Sequence, residues 1–121
     1  MPNELPIELR GASRCDVNAH IFLRDNYTCV HCGFDGRSFP NWMQLTVDHK
    51  RRVGLPADEN DDNKVTCCPA CNSMAGNVGE LKELPLDLPI DEYFQRKKEY
   101  VKRSRKTFFD FWPANVAPSL E

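Results

Sequence analysis

The sequence has no apolar run that approaches the ~20 residues a bilayer-crossing helix needs, so no membrane association is expected. Its first residues, Met1-Pro2-Asn3-Glu4, lack the basic stretch and apolar core of a secretory leader, and a cytoplasmic location is expected. There are no internal repeats and no low-complexity tracts, which sets aside solenoids and arrays. An excess of positive charge is missing too: the net charge is −2 and the pI about 5.9. Taken alone, that average argues mildly against a nucleic-acid partner. The hydrophobic fraction, 40%, is slightly low. A chain of 121 residues makes one domain with a modest core that a staple would help.

The charge that is present is segregated. Residues 58–62 carry four acids, whereas residues 96–106 carry seven Lys or Arg against one Glu. Lys50-Arg51-Arg52 is a second basic cluster. Arg96, Lys97, Lys98, Lys102, Arg103, Arg105 and Lys106 are expected on a C-terminal helix capped by Asp91, with an apolar stripe of Ile90, Phe94, Val101, Phe108 and Trp112. These cations either contact phosphates or form a solvated face; both readings stand. Phe108 to Trp112 reads as core packing or an oligomer contact rather than base stacking.

Residues 1–12 read as an irregular arm, 13–80 as a core and 81–121 as a linker and amphipathic basic helix. Ser13-Arg14-Cys15-Asp16 has capping-box spacing ahead of a helix reaching about Asp25, with Val17 and Ile21 on one face. Phe34–Trp42 reads as loop, Met43–His49 as a strand, Lys50–Asp62 as a polar loop and Lys64–Cys67 as a second short strand. A short helix is expected from the second cysteine pair to Gly76 or Gly79.

Six cysteines in a reducing compartment point to metal rather than disulfides. Cys29-x-x-Cys32 and Cys68-x-x-Cys71 are two knuckles separated by 35 residues, each able to offer two thiolates to one Zn²⁺. Cys67 rivals Cys68, but only Cys68 keeps the two-residue gap. Four protein ligands leave no open position, so this zinc is structural. Cys15 and Cys67 are expected as packed thiols, and His20 and His31 as structural or solvated residues.

Between the knuckles lies Leu45-Thr46-Val47-Asp48-His49; Asn63 follows His49 by fourteen residues, within Asp62-Asn63-Lys64-Val65, and Asn72 follows nine further on. These residues resemble the HNH endonuclease superfamily and its ββα-metal fold. Asp62-Asn63-Lys64-Val65 with Asn72 is similar in wording and spacing to the HNH domain of RNA-guided CRISPR effectors. Arg24-Asp25-Asn26-Tyr27-x-Cys29-x-x-Cys32-Gly33 and Cys68-x-x-Cys71-Asn72 resemble the four-cysteine, stand-alone branch. The likeness covers about residues 20–77. It implies an α+β, ββα-metal core braced by a four-cysteine zinc site and flanked by N- and C-terminal helices. It also implies an endonuclease leaving 3′-hydroxyl and 5′-phosphate ends on DNA, either alone or in an oligomer or larger nucleoprotein assembly.

The residue chemistry agrees with that expectation. His49 carries an imidazole, the side chain most often used as a general base. Asp48 and the Asn72 amide oxygen are hard ligands suited to Mg²⁺ or Mn²⁺. The resemblance gives Asn63 the task of bonding the loop after His49 and fixing the imidazole. Lys50, Arg51, Arg52, Lys102, Arg103 and Lys106 are the candidate nucleic-acid contacts. Adjacent strand residues face opposite ways, so Asp48 and His49 share a site only if the strand ends or bends there. Relatives often carry a basic residue three positions after the last motif Asn; here it is Ala75, and Lys50, Arg51 or Lys82 could substitute. Two rivals are a non-catalytic zinc module binding nucleic acid or protein, and a nuclease acting on RNA.

Overall fold

A computed structural model describes residues 5–9, 17–76 and 79–120. It is a small α+β structure: helix α1 (Ala19–Arg24), the single turn α2 (Phe39–Trp42), strands β1 (Thr46–His49) and β2 (Lys64–Cys67), helix α3 (Pro69–Met74) and the long C-terminal helix α4 (Ile90–Asn115). Among the described residues no helix is long and apolar enough to cross a membrane.

The two strands form an antiparallel pair in the register Thr46 to Cys67, Val47 to Thr66, Asp48 to Val65 and His49 to Lys64. Side chains directly opposite share a face. Thr46, Asp48, Val65 and Cys67 therefore line one side, where α3 packs, and Asn72 on α3 donates to the Thr46 hydroxyl. Thr66 lies on the other side, with its hydroxyl on the Ile21 carbonyl of α1. The end of α1 is tied to β2 by Asp25, which accepts the Thr66 N–H at 2.8 Å, and by Arg24, which donates to the Asp61 and Lys64 carbonyls.

The core is small and rich in sulfur. Cys29, Cys67, Cys68, Cys71, Ala75 and Val101 form one buried cluster, edged by Cys32, Phe34 and Met74. Ile21, Phe22 and Leu45 are also buried. So little hydrocarbon accords with the need for a staple.

Several boundaries differ from the sequence reading. The proposed capping box and Cys15 lie outside the described residues; α1 begins only at Ala19, and Val17 precedes it in a turn and is exposed. Phe39–Trp42 forms a helical turn where loop was expected, with Pro40 early enough to need no intrahelical N–H partner. That turn delays the first strand: Met43 caps α2 and Leu45 still bonds back to Trp42, so β1 starts at Thr46. The N-cap of α4 is Pro89, not Asp91, which sits in the first turn. The buried stripe of α4 is Tyr93, Lys97 and Val101, at steps of four. Phe108 and Trp112 are exposed, at 59% and 49%, so the aromatic end is not core packing. The body underlies only the first turns of α4, and a stripe chosen for apolarity skips the lysine that is buried there.

Candidate functional site

The first knuckle is shaped by backbone geometry. Asn26 and Tyr27 both take positive φ (55° each) and turn the chain out of α1. Cys29 N–H bonds to the Phe34 carbonyl, and Gly33, at φ 77°, donates back to the Cys29 carbonyl. A side chain at Gly33 would strain that conformation. The second knuckle is the start of α3: the Cys68 sulfur caps the helix by accepting the Cys71 N–H, and Pro69 follows at the first turn.

These two turns bring the sulfurs of Cys29, Cys32, Cys68 and Cys71 within 4.8 Å of one another, a set that can hold a metal ion such as zinc. Cys32 and Cys68 sulfurs are 3.7 Å apart. A tetrahedral ion with metal–sulfur bonds of ~2.3 Å requires an edge of about 3.8 Å. The Cys67 thiol donates to Cys29 and, against the cost of burial and with help from the N–H groups of Cys68, Cys32 and His31, holds the Cys29 thiol down to about 3. Burial, and then the Cys29 charge, push Cys71 and Cys32 up. One thiolate thus forms readily and its neighbours resist; a cation at the centre removes that conflict. Arg105 of α4 donates to the Cys71 sulfur at 3.5 Å. Cys68, not Cys67, is in the set.

Asp48 and His49 meet because β1 ends at His49. The Lys50 N–H bonds to the Asn63 carbonyl at 2.7 Å, and the chain then turns away. Both residues line a cavity of about 210 Å³ together with Arg52, Ala75, Tyr93 and Lys97. His49 Nε2 is 3.8 Å from a Glu59 carboxylate oxygen, beyond hydrogen-bond reach, and is buried without a hydrogen-bond partner among the described residues. Asp48 Oδ2 is 3.4 Å from Lys97 Nζ, which also donates to the His49 carbonyl.

Asn63 is fully buried. Its Oδ1 accepts the Arg51 N–H at 2.9 Å, and its Nδ2 donates to the Arg51 and Asp58 carbonyls at 2.8 Å each. Asp58 closes the same loop from its other end: it accepts from the Gly54 and Leu55 N–H groups and from Arg51 at 2.6 Å. The Arg51 guanidinium holds the Asp58 carboxyl below the usual carboxylate range. Arg51 also donates to the Leu88 carbonyl and is buried, so its guanidinium faces inward and serves the loop rather than a phosphate.

Asn72 is not among the residues lining the cavity. Its amide lies on Thr46 at 3.0 Å, two strand positions behind Asp48 on the same sheet face. Arg52 borders the cavity while donating to the Lys82 and Leu84 carbonyls. Lys50 lies over the Phe94 ring. Lys102, Arg103 and Lys106 are exposed on α4, with Arg103 paired to Glu80 and Lys106 to Asp110. His20 pairs with Asp61 at the surface.

Sequence reasoning missed Lys97. It placed this residue among the basic-helix cations, read either as phosphate contacts or as a solvated face, but Lys97 is 4% exposed and points at Asp48. The available signal was its spacing, midway between Tyr93 and Val101 on one helical face. Comparison of the chain with family models, with curated proteins and with solved structures gave no match.

Proposed function

We propose that this chain is a metal-dependent endonuclease that hydrolyses DNA phosphodiester bonds on a ββα-metal core of β1, β2 and α3, braced by zinc on Cys29, Cys32, Cys68 and Cys71. The observation that carries this reading is His49 Nε2, buried without a hydrogen-bond partner in the cavity that also holds the Asp48 carboxylate. A buried nitrogen left unpaired is costly unless it is used.

In this reading His49 Nε2 takes a proton from the attacking water. The water oxygen bonds to phosphorus, the P–O3′ bond breaks, and the products are a 5′-phosphate and a 3′-hydroxyl protonated from solvent. Asp48, with Asn72 behind it on the same sheet face, would hold a divalent ion, which would supply charge stabilisation at the phosphate. Asn63 keeps the Lys50-Arg51 loop closed and so fixes the His49 backbone. Lys97 supplies, from α4, a positive charge at the cavity wall where Ala75 offers none.

The test is nicking of supercoiled plasmid by zinc-loaded protein with Mg²⁺ or Mn²⁺ added, against brief EDTA and readdition of the ion. Nicking that follows the added ion supports the reading; none with any divalent ion overturns it. The rival, a non-catalytic zinc module, draws on the Lys97–Asp48 pair, which already neutralises the carboxylate. RNA run in parallel separates the nucleic-acid class.

The outer face of α4 makes a separate expectation. Changing Lys102, Arg103 and Lys106 to Gln should weaken DNA binding alike across sequences. It should also flatten the slope of log affinity against log salt by roughly 0.9 for each phosphate no longer neutralised. Binding measured from low to physiological salt checks this, and an unchanged slope returns these residues to a solvated face.

A further inference from the structure

We propose that His31, Asp48 and Cys67 form a second metal site, for a divalent transition ion such as Zn²⁺, Co²⁺ or Ni²⁺, beside the four-cysteine cluster. One ligand atom from each residue lies within 4.8 Å of the other two. The three come from separate segments: His31 from inside the first knuckle, Asp48 from β1 and Cys67 from β2. Asp48 and Cys67 share a sheet face, diagonal to one another in the strand register.

The second observation is His31 itself. Both of its ring nitrogens are buried and neither has a hydrogen-bond partner among the described residues. The ring stands edge-on to Phe94 of α4 at 5.8 Å, which fixes its plane. If packing were its only role, a purely apolar ring would avoid the cost of two orphaned polar atoms. A ligand role gives one of those nitrogens a partner.

The donor set decides the ion. Imidazole nitrogen and thiolate sulfur with one carboxylate suit zinc, cobalt or nickel and disfavour magnesium, which prefers oxygen. Three protein ligands is the number typical of catalytic rather than structural zinc. Binding displaces to solvent the thiol proton that Cys67 otherwise donates to Cys29, so the sulfur ligates as thiolate and that hydrogen bond is given up. The ion also competes with the Lys97 ammonium, 3.4 Å from Asp48 Oδ2. The site is therefore weaker than the four-thiolate site. This inference deepens the hydrolytic reading by naming the class of ion at Asp48, and rests on that reading only for what the ion does.

The experiment takes full-length protein dialysed to its one tightly held zinc and titrates it with Co²⁺, followed by calorimetry and visible absorption. A second equivalent should bind, with a sulfur-to-cobalt band that Cys67→Ser removes. His31→Ala and Asp48→Asn should weaken this equivalent by more than about tenfold while keeping the first zinc. Lys97→Met should tighten it, and excess Mg²⁺ should not displace it. If His31→Ala also loses the first zinc, His31→Phe, which keeps a ring against Phe94, is read instead. The proposal is overturned if neither wild type nor Lys97→Met takes a second equivalent. It is equally overturned if the His31 variant binds as wild type does, or if Asn72→Ala and not the His31 variant loses the ion. Cobalt bound without plasmid nicking would leave the site standing and remove the nuclease; nicking without a second equivalent would do the reverse.

Discussion

His49→Ala should lose cleavage by about 10²–10⁴-fold while keeping zinc, fold and DNA affinity, because a proton acceptor alone is removed. The structure makes this substitution a clean one. The imidazole Nε2 has no hydrogen-bond partner to orphan, and His49 stays in the strand through its backbone pairing with Lys64. The companions should fail differently. Asp48→Ala should raise the metal concentration required or abolish activity, and it also strands the Lys97 ammonium, so a loss of stability should accompany it. Asn63→Ala removes three hydrogen bonds from a fully buried position and should lower both stability and rate, with little change in metal demand. Single-turnover rates across a metal titration, read beside thermal unfolding, separate the three. Wild-type cleavage by His49→Ala would remove His49 from the chemistry altogether.

With zinc on the four cysteines, as proposed, stripping that ion should have the largest effect on stability. Zinc bound by small folded modules is worth apparent values of about 10–16 kcal/mol near neutral pH, more than an ordinary domain's whole stability. Here the cluster closes a loop that contains β1, β2, Asp48, His49 and Asn63, and the surrounding core is itself mostly cysteine. Chelation, or Cys71→Ser at a fully buried position, should therefore unfold residues 29–76 rather than merely loosen a surface turn. The far-ultraviolet signal and the thermal midpoint, measured with and without a strong chelator, check this. Native dichroism and an unchanged midpoint in metal-free protein would show that the staple is not needed.

The parts of this site that were legible in the sequence are those set by short-range spacing. Two C-x-x-C turns, one closed by Gly33 and the other by Pro69 at a helix start, announce their geometry locally, and the structure brings all four sulfurs together. The strand pair was legible in part: the alternation through Met43, Leu45 and Val47 marked a strand ending at His49 but began it three residues early, whereas Lys64–Cys67 matches. What was not legible depends on burial by distant elements. Arg51 and Lys97 read as solvent cations because nothing local marks the Asp58 carboxylate or the Asp48 face as their destination. His31 read as a loop residue for the same reason: its neighbours Asp48, Cys67 and Phe94 come from distant elements. The placement of Asn72 on Thr46 rather than at the cavity depends on the rotation of α3 over the sheet, which the order of motif residues does not encode.

Helix α4 is continuous from Ile90 to Asn115, yet its buried residues, Tyr93, Lys97 and Val101, lie in its N-terminal half. Beyond the Arg105–Cys71 hydrogen bond, Phe108, Phe109, Phe111 and Trp112 are all exposed, and Pro113 has no N–H to return to the preceding turn. Helical turns without packing are marginal in water, so the two halves of this one rod open by different routes. Amides near Val101 should therefore exchange with solvent when the cysteine-rich body opens, and those after Thr107 by fraying from the C-terminal end. A single element of secondary structure would then span two units of cooperativity, with the border expected close to Arg105.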